Sequence, residues 1–189
     1  MHNFIPKIYY FINEFNKDSI IKLDKKIAII YRNYKKIINY NDMLVIKNFC
    51  KKNGRKLYLS NNINLAIKLK LDGAYIPSFN NKIISNKKIK KNFIYLGSAH
   101  NIKQIRLKEK QGVDLIFLSP LFSTKDKKNI LGLSKFNILA THTRKKVIAL
   151  GGINRNNINK LNLIKSYGFA SISAIKNNYP SIKSLISKY

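Results

Sequence analysis

Three things are scarce in these 189 residues: cysteine, acidic side chains and long apolar runs. A single cysteine, Cys50, excludes an internal disulfide and leaves no zinc-ligand spacing. A reducing, cytoplasmic compartment fits that usage. No stretch approaches the roughly 20 uncharged apolar residues that span a bilayer, so no membrane partner is expected. The N-terminus, MHNFIPKIYYFINEF, has no basic region followed by a long apolar run, and so does not read as a cleaved signal. Acidic residues number 8 against 37 Lys+Arg, for a net charge of +29. Arginine is scarce too: Arg32, Arg55, Arg106, Arg144 and Arg155 are all there are. The excess is therefore lysine, recurring on the polar faces of most segments rather than in one tail. Specific readers of nucleic acid draw more on arginine. Lysine, asparagine and isoleucine all have AT-rich codons, so the charge reads first as genome composition. Nucleic acid is not the expected partner, although a basic surface that displaces counterions from phosphates is the open alternative. On either reading the field attracts anionic substrates.

What is present is alternation. Short apolar runs stand at 8–12, 27–31, 57–59, 74–76, 93–96, 115–118, 147–150 and 169–172, rich in Ile, Val, Phe and Tyr. Segments of helical spacing lie between most of them: 42–52, 62–71 with Asn62 as N-cap, 101–111 with Asn101 as N-cap, and 154–165 beginning at Asn154. Strands alternating with helices imply a parallel sheet. Eight strands predict an α/β fold of the (β/α)8 TIM barrel type, a compact single domain over 1–189. The chain is short for that fold, so some crossovers must be minimal; 16–24 and 78–91 are the weakest. An open doubly wound sheet is the alternative.

Barrels of this type place their sites at the C-terminal ends of the strands, so the residue after each apolar run carries the information. Arg32 follows the second run and suits an anion, or simply closes the strand. Ser60, Asn61 and Asn62 follow the third; Asn62 is equally a helix cap. Gly97, Ser98 and His100 follow the fifth. There Gly97 turns the backbone and His100 is a candidate proton shuttle, unless it packs under the next helix. After the sixth run comes the longest polar loop, with Ser119, Ser123, Thr124, Lys125, Lys127 and Lys128: hydroxyls and lysines suited to phosphate, or an ordinary lysine-rich loop. Gly151 and Gly152 follow the seventh run and Ser173 the eighth. Adjacent strand ends carrying Gly-Gly and serine are where such barrels often hold a phosphate on backbone N–H groups. Gly151 and Gly152 could instead be turn glycines only.

Four stretches, in order, carry a resemblance: GSAH (97–100), GVDLIFLSPLFSTKDKKNILG (112–132), VIALGGI (147–153) and GFASISAI (168–175). Together they resemble the thiamine phosphate synthase/TenI superfamily over roughly 97–175; residues 51–76 are similar more loosely, and the first 50 in layout only. The resemblance implies a barrel acting in thiamine biosynthesis, joining hydroxymethylpyrimidine diphosphate to thiazole phosphate with release of diphosphate. By position it implies that Gly151, Gly152, Ile172 and Ser173 cradle the thiazole phosphate. It further implies that Arg32, Asn61 and Thr124 meet the pyrimidine diphosphate, and that Ser98, His100 and Lys127 take part in catalysis. The partners implied are small phosphorylated thiazole and pyrimidine substrates; a homo-oligomer stays open.

The departures concern charge. In the family's Gln-x-Arg-x-Lys motif, Ile30 and Tyr34 replace the glutamine and lysine around Arg32. The family's Asn-Asp-Asp reads Ser60-Asn61-Asn62, and YIPSFN (75–80) lacks the carboxylate expected after the fourth strand. The resemblance implies Mg2+ as cofactor, yet its usual carboxylates are absent, and neutral amides bind it poorly. No metal ligands are therefore assigned. The thiazole tautomerase branch of the superfamily needs neither metal nor diphosphate, and His100 stands where that branch keeps a histidine. A non-catalytic binder of a phosphorylated ligand or nucleic acid, on the same barrel, is the third reading.

Overall fold

The computed structural model describes residues 5–35, 38–84, 92–124 and 129–176. Eight strands close into a parallel barrel in sequence order: β1 (Ile8–Ile12), β2 (Ile27–Tyr31), β3 (Leu57–Ser60), β4 (Gly73–Ile76), β5 (Ile94–Ala99), β6 (Leu115–Leu118), β7 (Lys146–Leu150) and β8 (Gly168–Ser171). The ring closes where β1 pairs with β8, Ile8 opposite Phe169, which excludes the open sheet. Alternation along each strand sends one set of side chains inward and the other toward the helices. Tyr9, Phe11, Ile30, Tyr58, Tyr75, Leu96, Phe117 and Ile148 fill the interior. Four of these rings lock edge to face: Tyr9 on Phe117 (5.0 Å), Phe11 on Tyr75 (5.1 Å) and Tyr75 on Phe117 (5.5 Å). The alternate residues, among them Ile29, Leu57, Ile116 and Phe169, pack against the surrounding helices.

The helical layer is thin, as the chain length requires. Its members are α1 (Lys17–Ile21), α2 (Tyr40–Lys52), α3 (Ile63–Lys68), α4 (Ile102–Lys110), α5 (Gly132–Thr141) and α6 (Ser173–Lys176). The expected asparagine caps form: Asn62 accepts from the Leu65 N–H (3.0 Å) and Asn101 from the Gln104 N–H (2.9 Å). Two local expectations change. The helix expected over 154–165 is only a 3-10 turn, Ile158–Leu163. Asn154 turns its side chain to its own loop, accepting from the Asn156 N–H (2.9 Å). Gly97 does not turn the chain, because β5 runs on to Ala99. Its missing Cβ instead makes room for the stem of Lys108, whose Cδ would lie 3.0 Å away, and for Val113 at 2.8 Å. Cys50 is buried in α2, and burial pushes its thiol up to about 11.

Candidate active site

The C-terminal rim has two halves of different construction. At the ends of β7 and β8 the backbone does the shaping. Gly151 and Gly152 both adopt positive φ, +98° and +68°, which favours glycine. A Cβ on Gly152 would lie 2.4 Å from the Phe122 carbonyl oxygen and 2.5 Å from that of Ser123; one on Gly151 would lie 2.8 Å from Pro120. The loop after β6 therefore occupies the space that side chains here would need. It is tied down by the Leu121 N–H to the Leu150 carbonyl (2.8 Å) and the Phe122 N–H to the Gly151 carbonyl (3.0 Å). Asn157 holds the Gly152 carbonyl from the other side (2.8 Å).

Ser171 and Ser173 both donate to the Ile153 carbonyl, at 3.1 and 3.4 Å. This brings Gly151, Gly152, Ile172 and Ser173 to one corner of the rim, Ile172 and Ser173 exposed. The Gly152 and Ser173 N–H groups donate to nothing among the described residues. Sequence reading missed Ser171, which is buried and also caps the Ala174 N–H (3.2 Å); its place inside GFASISAI was the available signal. Thr124 is half-buried in the β6–α5 loop. Lys127, with Lys125 and Lys128, lies outside the described residues.

From β2 to β5 the rim is made of side chains bonded to one another. Arg32 is half-buried, its guanidinium 4.9 Å from the centre of the Phe11 ring, a cation–π contact that keeps the charge over the barrel mouth. Tyr34, in the place of the expected lysine, bonds the Ser60 hydroxyl (2.9 Å) and meets Phe79 edge-on (5.5 Å). Ser98 is buried beside Tyr75, whose phenol burial pushes far above its ordinary value while the Ser98 hydroxyl acts to lower it.

His100 is gripped at both ring nitrogens. Nδ1 is 2.6 Å from the Ser119 carbonyl, Nε2 is 3.0 Å from the Ser78 hydroxyl, and the His100 N–H donates to Gln104 (2.8 Å). A carbonyl only accepts, so the proton belongs on Nδ1, and Nε2 is left to accept from Ser78. The ring thus bridges the β4 and β6 ends instead of packing beneath α4. Ser78 was not foreseen: a serine in YIPSFN has no distinguishing spacing, and only the closing of the barrel sets it beside His100.

Residues present at the β3 and β4 ends do not fit Mg2+. Asn80 Nδ2 donates to Asn61 Oδ1 (2.8 Å), so the two amides satisfy each other where a metal would need anionic oxygens. No cluster of three or more His, Cys, Asp or Glu exists among the described residues. The carboxylates that precede β4 and β6 serve the opposite rim: Asp72 accepts from the Leu57 N–H (2.9 Å), and Asp114 from the Tyr95 N–H (2.7 Å).

Comparison with known proteins agrees with this architecture. The family described as thiamine monophosphate synthase matches residues 20–175. A thiamine-phosphate synthase of Pelagibacter ubique is 30% identical over 88% of this chain and 84% of its own length. One of Coprothermobacter proteolyticus is 29% identical over 72% of this chain and 66% of its own. The solved structure of a thiamine phosphate pyrophosphorylase from Pyrococcus furiosus superposes with a TM-score of 0.76 at 17% identity, covering 97% of this chain and 96% of that one.

Proposed function

The chain belongs to the thiamine monophosphate synthase family, and on that premise we propose that it joins hydroxymethylpyrimidine diphosphate to thiazole phosphate, releasing diphosphate. The pyrimidine methylene carbon loses its bond to the diphosphate oxygen and gains one to the thiazole nitrogen. The observation that carries this reading is the corner formed by Gly151, Gly152, Ile172 and Ser173. Free N–H groups and a serine hydroxyl there suit the thiazole phosphate. Arg32, Asn61 and Thr124 meet the pyrimidine diphosphate. Ser98 orients Tyr75 beneath it, and Lys127 with His100 completes the catalytic set. Stabilising a departing diphosphate takes fixed positive charge and donors; Arg32 over Phe11 supplies one such charge. The residues at the β3 and β4 ends do not fit Mg2+, and no step is routed through it. A single catalytic domain over 1–189 and a cytoplasmic place belong to the same proposal. No described helix is long and apolar enough to cross a membrane. The test is incubation with both substrates, with and without Mg2+, assayed for thiamine phosphate; absence of product in both conditions overturns it.

One observation favours a second reading, thiazole tautomerase. The Ser119 carbonyl fixes the tautomer of His100, leaving Nε2 with a hydroxyl to exchange a proton with. That is the equipment of a proton shuttle. Isomerisation of the thiazole phosphate carboxylate by the wild type, lost in His100→Ala, would establish it; unchanged isomerisation in the variant dismisses it.

A further inference from the structure

Behind the amide pair lies a side chain that neither reading uses. Lys108, on α4, is fully buried. Its Nζ donates to the Pro77 carbonyl (2.8 Å), the Asn80 carbonyl (3.0 Å) and Gln111 Oε1 (2.8 Å). All three ammonium donors are thereby used. Gln111, also buried, extends the same grip, its Nε2 donating to the carbonyls of Asn80 and Lys82, each at 2.8 Å. Four hydrogen bonds thus tie the segment after β4 to the C-terminal end of α4, the fifth joins Lys108 to Gln111, and Gly97 leaves room on β5 for the lysine stem. The segment so held carries Ser78, which meets His100, and Asn80, which meets Asn61. No carboxylate among the described residues pairs with Lys108.

A buried ammonium with only neutral acceptors is costly to keep. Its folded pKa is pushed down to about 8 by burial. Replacing it by an apolar side chain is often no worse for stability, which makes its presence at the rim a matter of position rather than of folding energy.

We propose that the Lys108–Gln111 clamp, not a divalent cation, orders the 77–82 segment and fixes Ser78 and Asn80 at the barrel mouth, so that diphosphate is bound there without metal. The part concerning diphosphate rests on the synthase reading; the part concerning the segment does not. Lys108 touches no substrate and is a positioning residue. An internal ammonium suits the task because two of its three donors converge on the Pro77 and Asn80 carbonyls, which a flexible loop would otherwise turn to water, while the third holds Gln111 in place.

Two measurements on the full chain test this. The first is amide hydrogen exchange over 77–84, with inorganic pyrophosphate, in excess EDTA and in millimolar MgCl2. Equal protection in the two media is expected; a slowing by Mg2+ of about tenfold or more, roughly 1.4 kcal/mol of local ordering, overturns the proposal. The second compares Lys108→Met with Gln111→Leu. Each is expected to lose protection over 77–84 while leaving 147–158 unchanged, a contrast that general destabilisation does not produce. Protection retained over 77–84 in both variants overturns the proposal, and Gln111→Leu decides alone if Lys108→Met does not fold. Calorimetry with pyrophosphate separates this from the function: no binding in either medium removes support from the synthase reading, whereas binding that tightens about tenfold with Mg2+ refutes the metal-free claim.

Discussion

The two halves of the rim solve the same problem with different materials. From β6 to β8, glycines at positive φ and a tightly packed loop present backbone groups, with serines as fasteners. From β2 to β5, side chains bond to one another: Arg32 to Phe11, Tyr34 to Ser60, Asn61 to Asn80, Ser78 to His100, and Lys108 behind them all. A backbone site tolerates little change in residue type, because the conformation itself demands glycine. A side-chain site can exchange its chemistry while its shape persists, and this chain carries the bonded amides Asn61 and Asn80 where the resemblance implies carboxylates.

The largest expected effect attacks the backbone half. Gly152→Val would force a branched side chain into positive φ and against the Phe122 and Ser123 carbonyls. A loss of roughly 3–5 kcal/mol in urea unfolding is expected. Gly54 is the control, since it has φ +64° with nothing within 4 Å; Gly54→Ala is expected to lose only about 1 kcal/mol. Equal losses for the two would show that the loop contact is not what requires glycine at 152.

Next comes the buried lysine. Its ammonium is pushed down to about 8 from 10.5. Between those values the unfolded chain holds a proton that the fold has released, so stability rises with pH. The raised thiol of Cys50 and the raised buried phenols of Tyr9, Tyr58 and Tyr75 act the other way, because there the unfolded chain ionises first as pH climbs through about 9 and 10. Those opposing groups are common to both proteins, so the stability of the wild type minus that of Lys108→Met is expected to grow by about 2 kcal/mol from pH 8 to 10, as followed by denaturant midpoints.

A smaller effect reverses the exchange of chemistry. Restoring carboxylates with Asn61→Asp and Asn80→Asp together sets two like charges side by side, which a divalent cation would relieve. At Mg2+ about tenfold above its Kd, the double variant gains roughly 1.4 kcal/mol. No shift in the thermal midpoint of the wild type is expected under the same conditions. Smallest of all, Arg32→Met removes the cation over Phe11. It is expected to cost about 0.5–1 kcal/mol in the urea midpoint, with a weaker affinity for pyrophosphate as the second readout.

The backbone half was legible because its requirements are local. A glycine pair after an apolar run, with a serine ending the next run, already points to a shared corner between neighbouring strands, and the structure brings Gly151, Gly152 and Ser173 together there. Gly97 shows the limit of such reasoning: its glycine serves a lysine 11 positions later, so the strand it lies in could not be bounded from sequence alone. Ser98 was picked out as a rim hydroxyl, but its partner, Tyr75, comes from a different strand. The missing carboxylates at 60–62 and 75–80 were visible as absences, whereas their replacement by an Asn61–Asn80 bond was not, since it joins residues that only the β3–β4 pairing brings together.

Strand spacing and helix caps are properties of short windows, and they sufficed to predict eight strands alternating with helices and to favour the (β/α)8 barrel over an open sheet; the absent carboxylates stood out only against the family resemblance. The tautomer of His100, the role of Ser78 and the clamp of Lys108 depend on which distant groups the closed ring sets within about 3 Å, because a hydrogen bond is lost beyond that reach. Such distances are fixed by packing the inner rings and the outer helices at once, and only the tertiary structure decides them.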